Sequence, residues 1–218
     1  MPCSVDGSNT LFLNGFHLGC LQIPSNSLKR TEVWHAEWKA KTIVRNWAFE
    51  NLSTPGSATI SRHPYHTGED RLQAFWRTLV GDCKGYPQTR LTSEDIEHDQ
   101  NLVEKAMGAD ANDADKTLDL RLHLRSYNIL SKLVFKDGWR FHISDNDLFV
   151  LAQSTAQAGD VIAVLDGAKT PMVLRPTGKC EDGNETYRPI CGAYVHGFMD
   201  GEAMNPENGL EEKTFRIV

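Results

Sequence analysis

The chain has 218 residues, 40% of them hydrophobic, and a formal net charge of −6 at pH 7. That length suits one large domain or two small ones with a buried core, and the negative balance argues against nucleic acid or a membrane surface as partner. No apolar run approaches the ~20 residues that span a bilayer, and the opening MPCSVDGSNT lacks the regions of a signal peptide. The five cysteines are widely spaced with no CxxC pair, so they read as free thiols of a reducing, cytoplasmic location rather than a disulfide or zinc framework.

Taken in order, Thr10 to Ile23 reads as a hairpin, with Leu11 and Leu13 alternating before Asn14-Gly15 and Phe16 and Leu18 after it. Residues 28–52 read as a long helix, with Val33, Ala36, Ala40, Val44 and Trp47 on one face and Trp34 and Trp38 stacked beside it. A loop follows, carrying His63 and His66. No Cys, His or acidic cluster lies near them, so a metal site is not expected there. Thr67 and Asp70 resemble a capping box for a helix whose stripe is Leu72, Phe75, Trp76, Leu79 and Val80, closed by Gly81. Thr92 with Asp95 signals a further helix to about Met107. After an acidic linker, 118–135 reads as another helix on length and on its lack of β-branched residues.

The chain then changes character. Arg140 to Ser144, Leu148 to Ala152, Val161 to Leu165, Pro171 to Arg175 and Tyr187 to Phe198 read as strands, with Thr214 to Val218 as the last. Val161 to Leu165 (VIAVL) is unbroken apolar sequence, the pattern of a strand buried on both faces. Pro171 and Pro176 bracket the next strand, because proline is tolerated at a strand's first residue but not in its middle. The expected fold class is therefore α+β, a helical section of about four helices plus a small antiparallel barrel-like β-sheet. The expected division is a hairpin over 10–24 that joins the C-terminal sheet, a helical section over 25–137, and a barrel-like domain over 138–218.

Several phrases carry a family resemblance. RFHIS, GDVIAVLDG, PMVLRP and above all YRPICGAYVHGFMDGEAM resemble the C-terminal region of fungal heterokaryon-incompatibility proteins. The closing motif stands here as Tyr194, Val195, His196, Gly197, Phe198, Met199, Asp200, Gly201 and Glu202. The helix segment Ala74 to Leu79 (AFWRTL) also matches, and the resemblance covers roughly residues 10–218. The N-terminal incompatibility domain of that family, with its alanine-cysteine-isoleucine-asparagine-glutamine phrase, is absent from this sequence. The resemblance thus implies a tail without its effector head.

The candidate site residues are Arg140, Arg175, Tyr194, His196, Asp200 and Glu202. A histidine and two carboxylates within seven residues could ligate a metal or run acid–base chemistry. A strand that exits into the Asp200-Gly201 turn is the preferred reading, and it spreads those side chains apart. Arg140 and Arg175 could hold a phosphate or carboxylate. There is no GxSxG, HExxH or glycine-rich phosphate loop, and Cys191 has no activating base near it in sequence. The expectation is a non-enzymatic accessory or regulatory module of an incompatibility-type protein, with no catalytic residue, metal or cofactor. Its expected partner is an N-terminal incompatibility domain in cis or in trans. The alternatives are a small-ligand-sensing barrel, or a hydrolase-type enzyme using His196, Asp200 and Glu202.

Overall fold

Ten strands and little helix make up the described part of the computed structural model, which covers residues 4–5, 10–22, 64–85, 87–98, 138–180 and 183–218. The chain divides into two units, Met1–Pro24 with His142–Val218, and Ser25–Phe141.

The first unit is built on strands β1 (Ser4–Val5), β2 (Leu11–Cys20), β6 (Phe149–Gln153), β7 (Val161–Leu165), β8 (Met172–Lys179), β9 (Glu185–Val195) and β10 (Glu212–Ile217). β2, β7, β8 and β9 pair in that order, each antiparallel to the next. β10 then pairs with both β9 and β2 and so closes a five-stranded ring. Its contact with β2 is antiparallel over Glu212–Ile217. Its contact with β9 is parallel and only two residue pairs long, Arg216 with Thr186 and Ile217 with Tyr187. β1 extends the sheet beyond β2, while β6 and then β5 (Trp139–Ile143) continue it from the far end of β9.

The period-two alternation of strands sends successive side chains to opposite faces, and here both faces are buried. Val161, Ala163 and Leu165 join Leu174, Tyr187, Phe215 and Ile217, with Leu11 and Leu13 beside them. That cluster draws on all five ring strands and fills the barrel. Ile162 points the other way, into a second cluster with Leu18, Leu148, Val150, Val173, Ala193 and Val195. The unbroken apolar run of β7 reflects this double burial, although Val164 is only partly covered.

In the second unit, helix α1 (Arg71–Val80) buries Leu72, Phe75, Trp76, Leu79 and Val80 on one stripe. Its N-cap is Asp70, whose Oδ1 accepts from the Leu72 and Gln73 amides at 2.9 and 3.4 Å, while Thr67 bonds Glu69 instead. Gly81, at φ 63°, ends the helix in the left-handed conformation. The short strands β3 (Cys83–Lys84) and β4 (Thr89–Arg90) pair antiparallel, and a second helical stretch covers 93–98. There Thr92 and Asp95 cap reciprocally: the Asp95 carboxylate accepts from the Thr92 amide at 2.8 Å and the Thr92 hydroxyl from the Asp95 amide at 3.3 Å.

The structure corrects the expected α+β class. Strands dominate the described residues, in an eight-stranded, mostly antiparallel sheet. Their two helices are α1 and 93–98, of which only α1 is long, in place of about four. The expected helices over 28–52 and 118–135, and the end of the one after Thr92, lie outside the described residues. Two local readings also change. Leu11–Cys20 is one continuous strand rather than a hairpin about Asn14-Gly15. Pro176 does not end β8, because it sits at a register shift between Pro176 and Gly178, where the ladder is interrupted and the missing N–H costs little.

Candidate functional site

The six sequence candidates fall in separate environments. Arg140 lies on β5, and its Nε is buried with no hydrogen-bond partner among the described residues. Arg175 lies on β8 and is committed to Asp160, as a two-point ion pair at 2.8 and 2.9 Å. The same guanidinium donates to the Thr155 carbonyl at 2.9 Å. Asp160 accounts for the upward shift of the Arg175 pKa.

The closing motif begins on β9 and leaves it. Tyr194 and His196 share a face at the strand's end, both buried, with a 2.8 Å hydrogen bond between Tyr194 Oη and His196 Nδ1. The His196 amide donates to the Phe149 carbonyl at 3.0 Å, which ties the strand end to β6. The chain then turns, with Gly197 at φ 81° and Gly201 at φ 97°, into a 3-10 turn over Glu202–Met204. A Glu202 carboxylate oxygen accepts from the Asp200 amide at 2.7 Å, and the Glu202 carbonyl accepts from Asn208 Nδ2 at 2.6 Å. The Met199 sulfur accepts from the Val195 amide at 3.4 Å and folds the loop back on the strand. His196, Asp200 and Glu202 do not assemble as a ligand set. Among the described residues no three His, Cys, Asp or Glu side chains stand close enough together to hold a metal ion.

Burial pushes the Cys20 and Cys191 thiols up, away from the reactive thiolate.

Sequence reasoning passed over a cleft of about 610 Å³ beside the short parallel contact of β9 with β10. Lys179, Glu185, Tyr187, Lys213, Arg216 and Phe12 line it. Lys213 Nζ lies 4.8 Å from the centre of the Phe215 ring. Arg216 Cζ lies 5.4 Å from the Phe12 ring. Tyr187 Oη donates to Glu185, and burial, reinforced by that bond, raises the Tyr187 pKa. Burial lowers the Lys213 pKa, and the nearby Glu185 carboxylate partly offsets it. These side chains come from β2, the end of β8, the start of β9 and β10. The sequence signal for it is slight, two basic residues, Lys213 and Arg216, on either side of Thr214-Phe215 in the last strand.

Comparison with known proteins adds one finding. A family model described as the Het-6 β-barrel domain matches residues 83–215, more than half of the chain. No curated protein and no solved structure gives a significant match. The matched segment holds β7, β8, β9 and most of β10, while β2, which completes the ring, lies before it. No helix among the described residues is long and apolar enough to cross a membrane.

Proposed function

Because the chain belongs to the Het-6 β-barrel domain family, related to fungal heterokaryon-incompatibility proteins, we propose that it is a non-enzymatic accessory module that regulates an incompatibility effector in the cytoplasm. The family match is the observation that carries this reading. The polar groups most suggestive of chemistry support it, because they are engaged within the chain: Arg175 with Asp160, Tyr194 with His196, and Glu202 with the Asp200 amide. A pocket for catalysis needs convergent polar groups around a reacting atom. The His196, Asp200 and Glu202 motif instead bends a strand into a turn. The partner is an N-terminal incompatibility domain, attached or supplied separately, which this module holds or gates in the response to non-self contact.

Expressing residues 1–218 in fungal cells, alone and fused behind an incompatibility domain, tests the proposal. The short form leaves growth unaffected and the fusion kills conditionally. Killing by the short form alone, abolished by His196→Ala or Asp200→Ala, would replace the accessory role with an enzymatic one.

A further inference from the structure

We propose that the cleft between β9 and β10 is a binding site for a small phosphate monoester. The inference goes beyond the accessory role and can fail without it, since it concerns binding by this chain alone. It starts from the topology. β9 and β10 share only two parallel residue pairs, and the cleft opens at the end of that short contact. Its volume, about 610 Å³, lies within the range of small-molecule sites, roughly 300–1,000 Å³.

The lining selects charge. Lys179, Lys213 and Arg216 line the cleft together with one carboxylate, Glu185, so the formal charges of the lining sum to +2 in a chain of net charge −6. A phosphate monoester carries about −1.5 to −2 at neutral pH and matches that excess. Among the described residues neither lysine makes an ion pair, and Glu185 accepts from Tyr187 rather than bonding Lys213. The rings of Phe12 and Tyr187 in the same lining offer apolar surface to the organic part of an ester. This favours an ester over bare inorganic phosphate.

Calorimetric titration of the full chain with phenyl phosphate at low ionic strength tests the site, with inorganic phosphate and phenol as comparisons. The expected result is saturable binding of phenyl phosphate, weaker binding of inorganic phosphate and none of phenol. Lys213→Gln should weaken binding about tenfold, the scale of one charge-assisted hydrogen bond. Glu185→Gln, which removes the opposing charge and keeps an acceptor for Tyr187, should tighten it. Lys179→Gln changes an exposed side chain and serves as the folded comparison should Lys213→Gln perturb the barrel; it too should weaken binding. Absence of saturable binding by the folded protein overturns the proposal. So does binding that none of the three substitutions alters, which would mark an adventitious anion.

Discussion

Arg175 holds Asp160 in a fork of two hydrogen bonds, Nε to Oδ1 at 2.8 Å and Nη2 to Oδ2 at 2.9 Å. The Asp160 side chain is only 3% exposed, and its Oδ2 also accepts from the Gln157 amide at 2.8 Å. The pair therefore joins β8 to the turn that leads into β7. Removing the cation strands a buried carboxylate, so Arg175→Ala should destabilise the first unit by about 3 kcal/mol, read from urea unfolding. Arg175→Lys keeps the charge without the fork and should cost less. Wild-type stability in Arg175→Ala would show that the arginine is free for another role.

Phe75 is fully buried on α1 and meets Phe141 edge-on, with ring centroids 4.8 Å apart at 73°. Phe75→Ala should cost about 3–5 kcal/mol. Asp70→Ala, which releases two capped amides, should cost about 1 kcal/mol. Hydrogen exchange at α1 separates the effects, because the cap variant should loosen the first turn alone. Equal, small losses for the two would contradict the assignment of Phe75 to the core.

Two glycines of β2 explain why it runs straight through a turn dipeptide. A Cβ on Gly15 would lie 2.1 Å from the Val164 carbonyl oxygen, so the glycine permits close approach of β7. Gly19, at φ 133°, sits at the register shift in the β2–β7 pairing. There a Cβ would meet Asn146 Oδ1 and Asp145 Oδ1 at 2.6 Å. Those side chains clamp the strand: Asn146 Nδ2 donates to the Leu18 carbonyl at 2.6 Å, and Asp145 Oδ1 accepts from the Cys20 amide at 2.8 Å. Gly15→Ala and Gly19→Ala should each lower the melting temperature, with Gly15→Ala the worse because backbone must move. A neutral Gly15→Ala would mean that β2 and β7 do not pair in this register.

These residues also show what the sequence could and could not convey. Val161–Leu165 was legible to the residue, because a strand buried on both faces needs no polar interruption. The α1 stripe and its Gly81 stop were legible because period and cap agree. Asn14-Gly15 misled because a glycine that admits a neighbouring carbonyl looks the same as one that turns a chain. Pro176 misled because the register shift that tolerates it is a property of the partner strand. Of the site candidates, Arg175 was seen without its partner, fifteen residues earlier in the chain. The cleft was missed because its lining runs from Phe12 to Arg216 and converges only when β10 closes the ring.

Acid should loosen the cap at 93–98. The hydrogen bond from Lys84 is the main reason the Asp95 carboxyl is held down at about 2, below its ordinary 3.8, with the Thr92 amide and hydroxyl adding to it. A folded-state pKa below the unfolded one gives stability that is present above pH 3.8 and lost as the pH falls toward 2. Both partners are partly exposed, so solvent screening limits the contribution to about 1 kcal/mol or less. Asp95→Asn should remove this part of the acid dependence of unfolding, and an unchanged profile would contradict it.

The central claim, that this barrel regulates an attached effector, is tested most directly by the killing activity of an incompatibility-domain fusion measured with the barrel intact and with it unfolded. Asp160→Ala with Arg175→Ala as separate variants disrupts the barrel without touching the effector, and immunoblotting sets the expression levels equal. The account predicts that killing loses its dependence on the non-self trigger in both variants, becoming either constitutive or absent. Killing that stays conditional and equal in strength with the barrel unfolded would contradict it.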